Sequence, residues 1–500
     1  MKKIALATVT FLTLLFVSCT TNDDTAPETT VELKNEINDF VWRAMNHWYF
    51  WQSDVASLND NKLDDIDTYY NYLNTFTDSE QLFESLKNKN LDDFSWYIKD
   101  VDEQLNDFKG ISVSYGINLP RYYVNSDSNR SGIVIYISFV AKGSPADLAG
   151  IKRGDLIYKV NGEKLSESNV SLLGKIYNNL KITIGIERLE NGNVVDKGEF
   201  DLTAVQISEN PVHHTSIIQE KGKKIGYLVY NAFNSTYHSE LNDVFGTFKN
   251  ENIDELILDL RYNGGGSVLT SAYLSSMIEG SKADGSLFAS LTFNNKRNEE
   301  NGSNYPFYDD AALFNKETGD FENNFIPINR LMNLKRLYII TSVQTASASE
   351  MIINGLRPFM EVVTIGTTTL GKNEGSITLV DAPKSGDSEI YTNINGRKKS
   401  HTVGLQPITF QIYNSLKQND YGDGFPANVP IDEAQYTFNI LEFGDPNEVM
   451  LRTALNEISG GANKPTQTKS LLKTGKLDKL KNRKFEDEMY ILPEEGSFLK

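Results

Sequence analysis

Cysteine is all but missing from this chain. Cys19 is the one thiol in 500 residues, so no disulfide can close within a single copy and stability has to come from burial. Histidine is also scarce, with five residues (His47, His213, His214, His238 and His401). Neither an HExxH stretch nor a cysteine cluster exists, so zinc is not implied and no cofactor is expected. Positive charge is in short supply: 49 Lys and Arg stand against 67 Asp and Glu, and a formal charge of -18 repels phosphate backbones, which argues against nucleic acid as a partner. The only basic run of note (Lys469, Lys473, Lys476, Lys479, Lys481, Arg483, Lys484) is followed closely by Glu486, Asp487 and Glu488, and reads as a solvated helix face or a loose tail. No internal repeat is found. What the chain does have is 39% hydrophobic and 11% aromatic residues, enough for real cores, and length for two to four domains.

The start, MKKIALATVTFLTLLFVSCTTNDD, sets Lys2 and Lys3 before an apolar stretch from Ile4 to Val17 that is too short to span a bilayer comfortably. It resembles a bacterial lipoprotein signal, which implies a leader over 1–18, lipid on Cys19 and a polar, acidic tether over 19–33. Asn22-Asp23-Asp24 is similar to the acidic export signals of surface lipoproteins in the Bacteroidetes. The expected place is the cell envelope, anchored to the outer membrane and facing either the periplasm or the surface.

A helical, aromatic region is expected over 34–108. Ile37, Phe40, Val41, Met45 and Trp48 recur at helix spacing and read as a core stripe, with His47 as a core neighbour. The texture turns β-rich over 109–204, around GSPADLAGIKRGDLIYKVNGEKL. Ser144 is placed to cap a short helix that starts at Pro145, Gly150 to end it, and Asn161-Gly162 to turn a hairpin after the strand Leu156 to Val160. This stretch resembles a PDZ domain. The resemblance implies capture of a peptide C-terminus by strand addition, with Gly116, Ile117 and Leu119 of SYGINL in the carboxylate loop. A PDZ fold that gates its neighbour without gripping a terminus is the other reading.

Over 205–456 strand and helix signals alternate. KIGYLVYNAF and ELILDL read as strands, and ELNDVFGTFK as an amphipathic helix. In RLYIITSVQTASASEMIINGLRPFMEVVTIGTTTLGK a strand (Leu337 to Thr341), a helix and a strand (Val362 to Ile365) spell a β-α-β unit with parallel strands. Ser347 at the helix start and Lys372 past the second strand then meet in one crevice at one sheet edge, where Gly264, Gly265 and Gly266 after ELILDL also arrive. A serine hydroxyl needs a base, and a lysine desolvated by burial can be one. The Ala348 N–H and an N–H of the Gly264-Gly265 turn could hold the oxyanion. Taken alone, SASE is also a capping box, Ser347 to Glu350, and capping is the plainer reading of that serine.

LILDLRYNGGG, TASASE and the later GK together resemble the carboxy-terminal processing, or tail-specific, serine peptidases, which carry a PDZ domain ahead of the catalytic core. The resemblance implies a multidomain α+β protein: a helical N-terminal domain, a β-barrel-like PDZ domain and a ClpP/crotonase-like α/β core, followed by a tail over 457–500. It also implies a Ser–Lys dyad. The lysine stands 25 residues after the serine (372 − 347 = 25), which selects Ser347 over Ser342 and Ser349. Where many members have a glutamine that orients the lysine, this chain has Ser376. The expected partners are protein or peptide substrates with accessible C-termini, and a membrane reached through the lipid.

Three rivals are set beside this reading. His213, His214 or His238 could replace the lysine as base, as in tricorn-like proteases, though adjacent His213 and His214 are expected on opposite faces of a strand. SLLK, Ser470 to Lys473, matches a Ser-x-x-Lys motif by coincidence. The third is a catalytically inactive protease-like scaffold that only binds peptides.

Overall fold

The computed structural model describes residues 30–125, 132–282, 285–382, 390–461, 474–477 and 487–492. Cys19, the stretch before it read as a leader, and the SLLK stretch lie outside them. Among the described residues no helix is long and apolar enough to cross a membrane.

Helices Glu36–Trp48, Ile66–Leu73, Ser79–Ser85 and Val101–Phe108 build the N-terminal region. Each is started by an Asn or Asp (Asn35, Asp65, Asp78, Asp100) whose side chain accepts an otherwise unpaired amide of the first turn. The expected stripe is inside: Phe40, Val41, Met45 and Trp48 are buried, and Ile37 is partly so. These side chains share one cluster with Leu228, Leu256 and Leu337 of the central sheet, so the helices pack onto that sheet directly.

The PDZ domain follows as expected. Ser144 caps helix Pro145–Leu148, and Asn161 and Gly162 both take positive φ in the hairpin after strand Leu156–Val160. Its sheet runs in the order Asn193–Thr203, Lys181–Glu190, Leu156–Val160, Ile133–Tyr136, Tyr122–Asn125, Thr474–Lys476. The last of these strands comes from the stretch read as a tail.

The core is organised by a central sheet of β1 (Val212–Glu220), β2 (Lys223–Tyr230), β3 (Glu255–Asp259), β4 (Arg336–Thr341), β5 (Glu361–Gly366) and β6 (Val429–Pro430), in that order. All neighbours are parallel except β1 with β2. Alternation along each strand sends its side chains to two clusters. Leu228, Leu256, Leu258, Leu337 and Ile339 face the helices His238–Asn250, Val268–Ile278 and Ala348–Leu356. Val229, Ile257, Tyr338, Ile340 and Ile365 face helix Val449–Ser459. Burial on both faces is why β3 reads as an unbroken apolar run.

A second six-stranded sheet runs Gly266–Ser267, Met489–Ile491, Glu374–Ile377, Ile408–Asn414, Leu287–Phe293, Ser303–Pro306. Met489–Ile491 is thus an inner strand, parallel to both neighbours, with Met489, Tyr490 and Ile491 buried. That corrects the reading of 457–500 as a tail. MYIL is a four-residue apolar run, and burying it outweighs the charge around it.

Candidate active site

β4 ends in a tight turn that ties itself to the end of β3. The Thr345 hydroxyl donates to the Leu260 carbonyl and the Ala346 N–H to that of Asn263. The chain then enters helix Ala348–Leu356 through Ser347, whose backbone sits at φ 58°, ψ -117°. A side chain held there is strained by about 1–3 kcal/mol. The Ser347 carbonyl accepts from Met351 N–H at 2.8 Å, and Glu350 Oε2 accepts the Ser347 N–H at 2.9 Å. The capping box is therefore built, and it leaves the hydroxyl proton to point elsewhere. It goes to the carbonyl oxygen of Asp487, 2.9 Å away.

Lys372, past the end of β5, reaches the same oxygen. Its Nζ donates to the Asp487 carbonyl at 2.9 Å and to Glu488 Oε2 at 2.7 Å, and lies 4.6 Å from the centre of the Phe94 ring. Ser347 and Lys372 are both wholly buried. The β-α-β crossover thus brings together the two residues singled out, and a carbonyl from the C-terminal strand stands between them. Glycine is needed beside them: Gly265 has φ 120°, and a Cβ on it would lie 2.6 Å from that of Ser347 and 3.1 Å from the Ala348 nitrogen.

Sequence comparison gives this geometry its context. The profile of Peptidase family S41 matches residues 224–407, that of the Peptidase S41 N-terminal domain 36–96, and that of a PDZ domain 136–184. The core thus matches peptidase family S41, with a PDZ domain ahead of it. A solved structure assigned as an S41 protease in Bacteroides fragilis NCTC 9343 superposes with a TM-score of 0.64 at 26% identity, covering 87% of this chain and 99% of that one. A protein of Staphylococcus aureus (strain COL) named as a CtpA-like serine protease is 25% identical over 401 residues, 79% of this chain and 70% of its own. Carboxyl-terminal-processing peptidase 3 of Arabidopsis thaliana chloroplasts is 27% identical over 286 residues, 52% of this chain and 48% of its own. The expected division into a helical N-terminal domain, a PDZ domain and an α/β catalytic core agrees with these matches.

Within this S41-like core Glu350 does more than its box requires. Oε2 takes the Ser347 and Lys372 amides, each at 2.9 Å, and Oε1 takes the Gly371 amide at 2.7 Å and the Thr369 hydroxyl at 2.6 Å. One carboxyl group therefore sets the backbone of both candidate residues. Burial pushes it up to about 7 while the four donors pull it down. Glu374 is pushed up to about 7 and Glu488 to about 8, chiefly by burial, with Lys372 opposing in each case.

Several expected contacts are made differently. The Ser376 hydroxyl donates to the Met489 carbonyl at 3.2 Å and accepts from Gln406 Nε2 at 2.9 Å. Lys372 does not use it, because the inner strand supplies both partners nearer by. The Gly265 N–H donates to Asn263 Oδ1 inside its own turn. His213 and His214 do not point to opposite faces. A bulge between Val212 and His214 adds a residue to β1, so His213 meets Phe139 and Phe443 while His214 meets Tyr227 of the same cluster. Burial lowers His213 to about 4. His238, lowered likewise to about 4, has its ring nitrogens on the Ala312 carbonyl and the Thr270 hydroxyl, each at 2.8 Å. Among the described residues no group of three His, Cys, Asp or Glu is arranged to hold a metal.

In the PDZ loop, Gly116 has φ 78° and packs so tightly on Ser144 that a Cβ would lie 2.2 Å from that residue's own. Its N–H donates to Ser114 Oγ, and the Leu119 N–H to the Tyr177 hydroxyl at 3.2 Å. Ile117 and Leu119 are buried in the domain core. A groove of about 310 Å³ runs from Ile117, Ile176 and Tyr177 to Gly264–Gly266 and Asp487. A larger cavity of about 1040 Å³ opens beyond, past Arg121, Tyr122 and Gln344.

Sequence reasoning missed one more feature. Arg153, from the PDZ domain, donates to Glu433 at 2.5 Å, and Arg261, just after β3, bonds Asp259, Glu433 and Glu448. These buried charges lock the PDZ domain to the core.

Proposed function

We propose that the chain is an endopeptidase that cuts peptide bonds of envelope or extracellular proteins with Ser347 as nucleophile and Lys372 as general base. The Ser347 oxygen attacks the peptide carbonyl while its proton passes to Lys372, which later hands it to the leaving amine, and water resolves the acyl-enzyme. The Ala348 N–H and the Gly264 N–H are the donors offered to the developing oxyanion, since the Gly265 N–H is held by Asn263. The observation that carries this reading is that the Ser347 hydroxyl and Lys372 Nζ hydrogen-bond to one and the same carbonyl oxygen. Two groups that share an acceptor are within reach of one reacting carbonyl. The groove between the PDZ domain and the glycine turn, which Ile117 lines, supports docking of a substrate tail beside the loop of Gly116, Ile117 and Leu119. Digestion of unfolded casein tests the proposal. The wild-type chain should cut it, and Ser347→Ala should not, while retaining its circular dichroism spectrum.

The inactive peptide-binding scaffold is kept as the second reading because Ser347 and Lys372 are wholly buried here. Casein left intact by the wild-type chain under every condition would favour it. Lipid attachment at Cys19 and an outer-membrane location belong to the same proposal. Metabolic labelling with a fatty acid, lost in Cys19→Ser, tests them.

A further inference from the structure

The C-terminal strand lies where a substrate would have to lie. Met489–Ile491 adds between Gly266–Ser267 and Glu374–Ile377, parallel to each, pairing Gly266 with Met489 and Ser376 with Tyr490. Strand addition of this kind is how extended peptides are commonly held, with the main chain giving affinity and side chains giving register. Asp487 enters the strand at φ 66°, its side chain paired with Arg121 and its carbonyl on Ser347 and Lys372. Glu488 Oε2 accepts a hydrogen bond from Lys372 Nζ at 2.7 Å. Tyr490 stacks on Phe108 at 3.8 Å between ring centres and donates its hydroxyl to the Phe108 carbonyl. Both cavities are lined by Asp487 and Glu488, so this pair stands where the PDZ-side groove meets the larger cavity.

The bonding is that of a block and not of a reacting peptide. The Asp487 oxygen takes hydrogen bonds from the nucleophile and the base together, so it lies between the atoms that must exchange a proton. Glu488 engages the amine that should receive it.

We infer that Asp487–Leu492 is a built-in occupant of the substrate slot, an inhibitory strand that an extended peptide must displace before Ser347 and Lys372 can act. The inference rests on the serine–lysine reading. It also names what the slot takes: an unfolded segment able to pair as a strand on both sides, presenting an apolar run like Met489-Tyr490-Ile491-Leu492.

Full-length Glu488→Gln and Tyr490→Ala test it, each checked for its melting temperature. Casein hydrolysis should rise about tenfold or more in both. Glu488→Gln keeps the size of the side chain, so it stands in if Tyr490→Ala fails to fold. A second readout needs no catalysis. A fluorescein-labelled peptide with the sequence of residues 487–492 should bind Ser347→Ala/Glu488→Gln at least tenfold more tightly than Ser347→Ala alone. Unchanged or slower hydrolysis in folded variants, together with no gain in peptide binding, would overturn the inference while leaving cleavage by the wild-type chain intact. A gain in peptide binding with no cleavage by any variant would uphold the occupant and sink the catalytic reading.

Discussion

Arg261 and Lys372 are both buried cations just beyond the C-terminal ends of parallel strands, yet their charges are met in different ways. Arg261 bonds three carboxylates, Asp259, Glu433 and Glu448, all set on elements of the central sheet and its flanking segments. Burial opposes the ionised form of Glu433, but Arg153 and Arg261 outweigh it and hold the group at about 2. Glu433 therefore stays charged at any ordinary pH, and its bonds to Arg153 and Arg261 act as fixed mortar between the PDZ domain and the core. Lys372 instead has one carboxylate, Glu488, and a carbonyl, both from a short C-terminal strand. Glu488 is pushed up to about 8 even beside the lysine. The contrast separates a charge that is built in from one whose partners come from a short separate strand, as the proposed role of Lys372 as base requires.

The largest effect that would break this comparison is on activity. Ser347→Ala and Lys372→Met should each lower casein hydrolysis by about 1000-fold or more, the usual scale for removing a member of a catalytic unit. Lys372→Met should nonetheless cost little stability, about 1 kcal/mol or less at pH 6, because Glu488, held at about 8 even beside the lysine, is protonated there and leaves no bare charge. Urea denaturation measures that difference. Arg261→Met should behave in the opposite way. It leaves Asp259, Glu433 and Glu448 buried without the cation they share, and loses about 3–5 kcal/mol.

Stability should also depend on pH. Glu350 rises from an ordinary 4.5 to about 7 in the fold, so folding favours its protonated form. The stability it contributes is complete below about pH 4.5 and is lost as pH rises to about 7, an effect of about 3 kcal/mol. Glu374 and Glu488 act with the same sign. The wild-type urea midpoint should therefore fall between pH 5 and pH 7.5, and Glu350→Gln should flatten the slope. An equal slope in the variant would mean that the four donors already keep Glu350 ionised.

How far the sequence spoke depends on the span of each contact. Ser347 and Lys372 were legible because one β-α-β unit carries both, and that unit fixes which sheet edge each reaches. The Ser144 cap and the turn at Asn161-Gly162 were legible for the same local reason. Glu433 and Glu448 meet Arg261 across separations of 172 and 187 residues, and nothing near them in sequence signals the pairing. Asp487 and Glu488 were hidden by their setting, since a charged, Lys-rich stretch reads as solvated. The four apolar residues after them were the available signal. His213 and His214 were misplaced because a single extra residue in a strand redirects the side chains around it.

The smallest expected effect concerns the PDZ domain, where occupancy repeats on a lesser scale. The Leu119 N–H, expected to meet a substrate carboxylate, already donates to the Tyr177 hydroxyl, while Tyr177 also lines the groove toward the glycine turn. Tyr177→Phe removes that acceptor and keeps the ring. The change should cost about 1 kcal/mol of stability or less. If the loop grips a terminus, the variant should bind a peptide with a free C-terminal carboxylate several-fold more tightly than the same peptide with an amide end. An identical response to both peptides would show that this loop recognises no carboxylate, and that the PDZ domain acts on the catalytic region through Arg153 and its buried charges instead.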